Sequence, residues 1–523
     1  MRLSISGACP DNSTLEMAQP TSELLRSVIE LFRNVPALST RPSQEEGQEA
    51  GYDAVYLEWS RHAIKTLMSI PTTKGQGRQA FLNSFGLGVA ADRFGFAFLG
   101  GYHCAVRYLW SRLDPSISLD GIGKDCPDGE SLALELSVLA ASEKGPAVPK
   151  NIHTTARVVS TRATDMDIAL HGTKSFVTGG KLARHILVVA KAVPTAVSRN
   201  DQAQLGEYTS RSSLVCVHVD ESSSSTNDSG VSIGQNDVRL GFVPEIAHNK
   251  IVMENARVGL SNLLGTRVPA VQESCSSWKD WKVVDGFEGI LKPFRVIEDA
   301  LVSASLCGYL IKTLDLAASH LQQQDDQQRD LCRRVCGGRS GTTNPELPGY
   351  NKSGTGSASS QSSLEEGQLK ELNNALHAMT DQLLALASCL FDMMHEFDLA
   401  WQPQRNQVFP LLSLMSAPST SNPTESTGAG NSNRVLPFMQ TIPPQLLLQL
   451  DDALQRFSAM HTSLLALAPR ISPCLCEVQR IRWDWMLNRD WKVSQIAGPA
   501  RRLRAQRAKE QLNALQLPGH SML

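Results

Sequence analysis

The spacing of apolar residues changes twice along this 523-residue chain, and these changes constrain its fold more than any other feature. From Tyr56 to Leu109 apolar residues return at three- and four-residue intervals, which predicts helices. From Leu134 to about Val268 the interval shortens towards two, which predicts short strands in a small sandwich or barrel. Past Val284 the helical spacing returns. The sequence therefore predicts an α+β chain with a helical domain, a central β domain and a helical bundle.

The predicted domain boundaries follow these changes. They are an irregular extension with one short helix over 1–54, a helical domain over 55–133, a β domain over 134–283, a four-helix bundle over 284–512 and a tail over 513–523. Segments rich in Ser, Gly, Asn and Pro near 338–363 and 416–435 are predicted to be disordered insertions, because they hold too few apolar residues to bury a core. The last helix of the bundle is expected around Trp483, Trp485 and Trp491.

Charge and composition exclude several classes of partner. Lys and Arg number 50 against 52 Asp and Glu, so bulk electrostatics favour neither nucleic acid nor a membrane surface. No apolar run has the length of a membrane span, so we expect a soluble, intracellular protein. The 11 cysteines lack the repeated C-x-x-C spacing of a zinc site, and no metal is expected. The final Ser521-Met522-Leu523 is a weak relative of a peroxisomal address, which leaves cytoplasmic and peroxisomal locations open.

The segment LHGTKSFVTGG, residues 170–180, carries the clearest chemical pattern. Two short apolar runs separated by a glycine-containing turn predict a hairpin-like pair of strands that ends in a donor-rich corner. In that corner Thr178 offers a hydroxyl to a planar ligand, and Phe176 supplies an aromatic wall. A plain β-hairpin with a Gly-Gly turn explains the same residues equally well.

These residues resemble a strand and turn of the acyl-CoA dehydrogenases, and Ala141-Ser142-Glu143-Lys144-Gly145 resembles that family's T-E-P-G turn. In the family the two segments hold the FAD ring against the acyl-CoA thioester. The resemblance covers about residues 55–512 and implies an acyl-CoA dehydrogenase-like fold, FAD as cofactor and an acyl-CoA substrate. It places three side chains near the flavin: Ser142, Phe176 and Thr178.

Two further segments resemble the family's dinucleotide contacts. The run Arg333-Arg334-Val335-Cys336-Gly337 resembles an R-x-x-F-G loop, which places Arg333 on an FAD phosphate, and a planar guanidinium fits phosphate oxygens. A solvated loop arginine is the alternative. The run from Leu364 resembles I-x-x-x-Q and places Gln368 near the adenine. Because the family builds its FAD site across subunits, the resemblance also implies a homo-oligomer, a dimer or a tetramer. It does not indicate the electron acceptor.

The resemblance fails at the catalytic base. Dehydrogenation of an acyl-CoA needs a carboxylate that removes the α-proton. Ala497 stands where most of the family carries its glutamate, and Phe294 stands where a minority branch does. Glu298 lies one helical turn after Phe294 and is the candidate base, with Arg295 directed towards the substrate. A solvated or salt-bridged glutamate is the alternative.

Other departures concern cofactor retention and substrate room. Both glycines of the family's Q-x-x-G-G loop are missing near Ile471–Leu475, and Pro146–Pro149 replaces its G-S-D. Side chains in place of the glycines would obstruct close approach to a pyrophosphate. The small-residue run from Gly88 to Arg93 resembles a helix that lies beside the acyl chain, although helix packing explains it without a ligand.

Three functions are compatible with the sequence. The first is FAD-dependent α,β-dehydrogenation of an acyl-CoA thioester, which makes the chain an enzyme. The second is a flavin-dependent monooxygenase on the same fold, which needs no α-proton base. The third is a catalytically inactive scaffold, favoured by the altered phosphate loops and the long insertions. A charged final helix, with five basic residues from Arg501 to Lys509, is expected to be solvated rather than to bind nucleic acid.

Overall fold

A computed structural model gives the structure of the chain. It describes residues 12–32, 48–119, 134–143, 148–162, 165–193, 214–220, 230–234, 238–240, 243–265, 282–337, 358–403, 408–410, 437–471 and 499–516. The predicted order of helices, β domain and helical bundle is confirmed. The disordered insertion predicted near 416–435 and the three tryptophans lie outside the described residues.

Four helices precede the sheet. They are α1 (Asn12–Phe32), α2 (Gln48–Ser69), α3 (Gln76–Ala90) and α4 (Phe94–Leu113). The first two begin inside the region predicted to be irregular, where one short helix was expected. Leu25 and Val28 on α1 are fully buried, so this helix packs against the core because its apolar residues recur with helical spacing.

The central region forms one curled eight-stranded sheet and a separate two-stranded one. The strands are β1 (Ser137–Ala140), β2 (Thr155–Arg162), β3 (Asp165–Thr178), β4 (His185–Val193), β5 (Leu214–Asp220), β6 (Val231–Ile233), β7 (Val238–Leu240), β8 (Val243–Gly259), β9 (Lys282–Val284) and β10 (Val408–Pro410). The path through the large sheet is β1-β4-β2-β3-β8-β6, with β5 on β4 and β7 on β8; β9 pairs with β10.

The predicted hairpin within residues 168–177 is wrong, because β3 is one continuous strand of 14 residues. Gly172 is not a turn residue. It has φ +145, and a Cβ there would lie 2.6 Å from the Cα atom of Thr154. The glycine therefore lets two strands approach closely, next to a register shift after Leu170 against β8.

Helices resume after a π-helical turn, Gly286–Leu291, whose first backbone N–H groups donate to the side chain of Asp285. The helices are α5 (Lys292–Gly337), α6 (Ala358–Ala400), α7 (Phe438–Thr441), α8 (Pro444–Ile471) and α9 (Pro499–Gln516). Of these, α8 packs on α5, α6 and α9, which forms a four-helix arrangement. The start of α6 lies inside the insertion predicted near 338–363, and α9 extends into the predicted tail.

The backbones of α3, α4 and α5 approach one another closely in the core. Gly88 on α3 lies against the backbone of Ser305 on α5, and Gly101 on α4 lies against Val302 on α5. Gly308 on α5 returns the contact to α3. In this part of the fold the small residues of α3 therefore serve helix packing, the second of the two explanations that the sequence allowed.

The segment Gly286–Gln323 is the one described helical segment with the length and apolar composition of a membrane span. Of its most apolar 18-residue window, 89% is buried within the fold. This burial is accounted for by the contacts that α5 makes with α3, α4, α6 and α8. Its apolar composition thus matches its place at the centre of the helical packing.

We predict opposite effects from two glycine-to-alanine changes in helices. Gly88→Ala should lower the free energy of unfolding by about 1–3 kcal/mol, since the added methyl meets the backbone of Ser305. Gly367→Ala on α6 should raise it by about 0.5–1 kcal/mol, because nothing lies within 4 Å of the added carbon. Chemical denaturation measures both, and equal effects would contradict the close packing of α3 on α5.

Candidate functional site

The two segments singled out in the sequence lie side by side. The backbone N–H of Ser175 on β3 donates to the carbonyl oxygen of Ser142, which follows β1, at 3.0 Å. One residue away on each segment, the ammonium of Lys174 lies 2.8 Å from a carboxylate oxygen of Glu143. The turn after β1 is therefore fixed against the last part of β3 by a backbone bond and an ion pair.

The Lys174–Glu143 ion pair is buried, and both side chains make further hydrogen bonds. The Lys174 ammonium, which has no solvent exposure, also donates to the carbonyl oxygen of Val189 on β4 at 2.6 Å. The Glu143 carboxylate accepts the backbone N–H groups of His153 at 2.7 Å and Thr154 at 3.0 Å. One ion pair thus connects the turn after β1 with the approach to β2, with β3 and with β4.

The pKa directions agree with this geometry. Burial opposes ionisation of Glu143, but the charge of Lys174 and the hydrogen bonds from Lys174 and Thr154 outweigh it and hold the pKa of Glu143 below its usual range. Burial lowers the pKa of Lys174, and the Glu143 carboxylate opposes that shift. Removal of either partner would leave the other charge buried in the sheet.

Three predicted residues lie at the end of β3 and in the turn after β1 that contacts it, a place that we call the motif edge: Ser142, Phe176 and Thr178. Alternate residues of a strand point to opposite faces, and Val177 is fully buried on the core side. Phe176 is 37% exposed on the other side, and Ser142 and Thr178 are half-buried. The motif edge therefore presents an aromatic ring and two hydroxyl side chains at an accessible position.

Glu298 lies in the second turn of α5, where a side-chain nitrogen of Arg295 is 3.1 Å from its carboxylate. Burial raises the pKa of Glu298, the Arg295 charge lowers it, and the nearby Asp299 carboxylate raises it further. The Glu298 charge is the main cause of a raised pKa for Arg295. The carboxylate is thus ion-paired, as one of the two sequence interpretations expected, and it is also a stronger base than an ordinary glutamate.

Tyr102 on α4 connects the start of α5 to β1. Its hydroxyl donates to the carbonyl oxygen of Leu139 on β1 at 3.2 Å and accepts the Leu139 N–H at 3.3 Å. Burial and then the Glu298 charge raise the pKa of Tyr102. Phe294 packs edge-on against the tyrosine ring at 5.8 Å between centroids. The start of α5 is therefore held against β1, three residues before Ser142.

The last helix reaches the same place. Arg504 on α9 forms an ion pair with Asp299, next to Glu298 on α5. Five residues of helix, about 7.5 Å, separate Arg504 from the start of α9 at Pro499. Ala497, the usual position of the family's base, precedes that start and lies outside the described residues. The first turns of α5 and α9 consequently lie close together.

Arg333 is not near the motif edge in a single chain. Arg333 lies inside α5 rather than in a loop, about 50 Å along the helix axis from Glu298. Its side chain is 81% exposed and pairs with Asp330 at 3.6 Å, as expected for a solvated arginine. Gln368, in α6, is also exposed. Their predicted roles at the dinucleotide stay predictions.

Sequence reasoning missed the roles of Lys174, Glu143 and Tyr102. Lys174 and Glu143 both stood inside the two segments that carried the family resemblance, and their opposite charges were a signal that the segments pair. Tyr102 gave no signal beyond its place on an apolar helix face. Among the described residues, no group of three or more His, Cys, Asp or Glu side chains is placed to hold a metal ion.

Neither a protein-family model nor a curated protein matches the chain. Among solved structures it is similar to "PigA with FAD and proline", with 12% identity, TM-score 0.49 and coverage of 94% of this chain and 97% of that one. It is similar to an acyl-CoA dehydrogenase complexed with FAD from Bacillus anthracis, with 14% identity, TM-score 0.44 and coverage of 97% and 70%. It is also similar to butyryl-CoA dehydrogenase from Megasphaera elsdenii, with 10% identity, TM-score 0.39 and coverage of 95% of this chain and 98% of that one. At these identities and TM-scores the similarity concerns the fold alone and carries no argument about function.

We predict that Glu143→Gln lowers the free energy of unfolding by about 3–5 kcal/mol at neutral pH, because it leaves the Lys174 charge buried without its partner. Asp330→Asn, which removes the exposed partner of Arg333, should change it by about 0.5 kcal/mol or less. Replacement of both members of the buried pair, by Lys174→Met and Glu143→Leu, should recover most of the loss.

The Glu143→Gln effect should also depend on pH. Because the pKa of Glu143 is lower in the folded than in the unfolded chain, its stabilisation is complete above the unfolded pKa and is lost as pH falls through the folded pKa. Denaturation of wild type and variant from pH 7 downwards measures the difference. A difference that stays constant down to acid pH would contradict an ionised Glu143 in the fold.

Proposed function

We propose that this chain is an FAD-dependent oxidoreductase of the acyl-CoA dehydrogenase type that acts on an acyl-CoA thioester by α,β-dehydrogenation. The observation that carries the proposal is the motif edge. The Lys174–Glu143 ion pair and the Ser175–Ser142 hydrogen bond fix the two segments that hold the flavin ring in the family. This support comes from the chain's own residues.

The motif edge fits a planar ring system. Phe176 keeps more than a third of its surface accessible, which leaves aromatic area for a stacked ring. The Ser142 and Thr178 hydroxyls supply donors and acceptors for polar atoms at the edge of such a ring. FAD bound there would supply the acceptor for a hydride from the β-carbon of the substrate.

Residues at the start of α5 would carry out the second part of the reaction, which is removal of the α-proton. In this proposal Glu298 takes the α-proton from the thioester. Its raised pKa makes the carboxylate a better proton acceptor than an exposed glutamate. Arg295 holds the ionised carboxylate in place at 3.1 Å, and Tyr102 fixes the start of α5 to β1. With Arg295 largely exposed, its guanidinium is also available to orient the substrate.

A second copy of the chain completes the proposed site. Within one protomer Arg333 lies about 50 Å along α5 from Glu298, too far to reach a ligand held at the motif edge, and Gln368 lies on the neighbouring helix α6. Both side chains are exposed and available to a neighbouring copy. We therefore propose a homo-oligomer in which they approach the dinucleotide end of FAD on the adjacent protomer.

One observation favours the flavin monooxygenase as a second candidate. Phe294 is 3% exposed and fills its position with an aromatic ring packed on Tyr102, so that position holds no carboxylate. A monooxygenase needs no α-proton base, and the motif edge would serve it unchanged. An inactive scaffold is the outcome if the purified chain holds no flavin. The cytoplasmic or peroxisomal location stays a prediction, since Ser521–Leu523 lies outside the described residues.

We expect the purified chain to show flavin absorption bands and to bind FAD through Thr178. Thr178→Val keeps the side-chain shape and removes the hydroxyl, which should weaken FAD affinity about fivefold, equivalent to about 1 kcal/mol. Thr155→Val on β2, whose hydroxyl bonds the carbonyl oxygen of His171, is the matched control and should leave affinity unchanged. FAD titration measures both. Equal affinities for all three proteins would show that the Thr178 hydroxyl makes no contact.

We expect Glu298→Gln to slow flavin bleaching by saturated acyl-CoAs about 100- to 10,000-fold under anaerobic conditions, because the amide cannot accept the α-proton. In the wild type the rate should rise with pH, as the ionised fraction of Glu298 grows. Glu371→Gln, at an exposed glutamate on α6 that pairs with Arg470, is the control. Rapid bleaching that survives Glu298→Gln would eliminate Glu298 as the base. No bleaching with any thioester would favour the monooxygenase or the scaffold.

A further inference from the structure

His248 lies beside the motif edge, on the neighbouring strand β8. In the register of the sheet it is paired with Thr178 on β3 and with Val238 on β7. Residues paired across adjacent strands point to the same face, so these three side chains form a row. The next pair, Val177 with Asn249, is fully buried on the opposite face.

Val238 in this row and Phe176 beside it carry the accessible apolar surface of this region. Phe176 is 37% exposed and Val238 is 48% exposed, and Phe176 is the one aromatic among the exposed large apolar side chains in the described part of the chain. His248 itself is 2% exposed. Its ring stacks on the Phe176 ring, with 4.2 Å between centroids and 28° between planes. The histidine therefore covers one face of Phe176 and leaves the other accessible.

The imidazole is fixed by a second contact. Its Nδ1 lies 3.2 Å from the carbonyl oxygen of Val238, where it donates when protonated. Burial is the main cause that lowers the pKa of His248 to about 4, and the nearby Arg239 charge acts in the same direction. Hydrogen bonds to the carbonyl oxygens of Val238 and Ile246 oppose the shift. At neutral pH the ring is consequently uncharged, and an uncharged ring stacks on Phe176 without a buried charge to solvate.

We infer that His248 is a positioning residue of the proposed flavin site, which holds Phe176 by stacking so that the free face of Phe176, together with Val238, forms the apolar platform for the bound ring. This inference rests on the proposed function and adds two residues to it. Without the stack, Phe176 would turn about its side-chain bonds, and a ligand would bear the cost of ordering it.

The test is FAD titration of the full-length apoprotein, followed by flavin fluorescence and by visible circular dichroism of the bound flavin. His248→Asn keeps a donor near the Val238 carbonyl and removes the ring, and it should weaken FAD affinity about three- to tenfold and alter the dichroism. His248→Phe keeps a flat ring and should restore both to within about twofold. His171→Asn, at an exposed histidine elsewhere on β3, is the matched control and should behave as wild type.

A double-mutant comparison separates positioning from a general effect on folding. If His248 acts through Phe176, the double variant Phe176→Leu/His248→Asn should lose as much FAD affinity as the single variant Phe176→Leu. Additive losses would overturn the inference, as would unchanged affinity in His248→Asn. If His248→Asn does not fold, His248→Phe decides, since a marked loss of affinity there would overturn it. A wild-type chain that binds no FAD would overturn both this inference and the proposed function, whereas wild-type binding that is indifferent to His248 would overturn the inference alone.

Discussion

The site depends on one buried ion pair, between Lys174 and Glu143. Two charges removed from water carry a desolvation cost, which only good geometry and further hydrogen bonds offset. Here the ammonium also donates to Val189, and the carboxylate accepts two backbone N–H groups, so each charge has several partners. The pair thereby holds the turn after β1 against β3, which brings Ser142 next to the strand that carries Phe176 and Thr178.

Much of the fold could be predicted from the sequence, because periodicity records which residues are buried. The change of interval near Leu134 and again past Val284 located the β domain between two helical regions, and the structure agrees. Local glycine signals were less reliable. Gly172 looked like a turn residue, but it lies inside the long strand β3, where it allows close contact with Thr154 just before β2. A glycine needed for a turn and one needed for strand contact look alike until the partner strand is known.

The candidate site could be predicted in part. Phe176 and Thr178 were identified from the strand motif, and they lie together on the accessible side of the sheet. The partners that hold them, Lys174 with Glu143 and His248 with Phe176, depend on contacts between strands distant in sequence, which no local pattern reveals. The sequence allowed Glu298 to be either a catalytic base or a salt-bridged glutamate. It has a feature of each, since it is ion-paired to Arg295 and also has a raised pKa. In the proposed function, one chain supplies the residues at the ring end of FAD, and a second chain supplies those at the dinucleotide end.

In the proposed function, the turn after β1 and the end of β3 bind a flavin ring. Hydrogen–deuterium exchange of the purified chain with and without saturating FAD tests it most directly, because exchange reports on backbone segments and needs no substrate or turnover. We expect slower exchange over Ala141–Glu143, over Ser175–Gly180 and at His248 when FAD is present. Saturating FAD that leaves all three segments unchanged would contradict it.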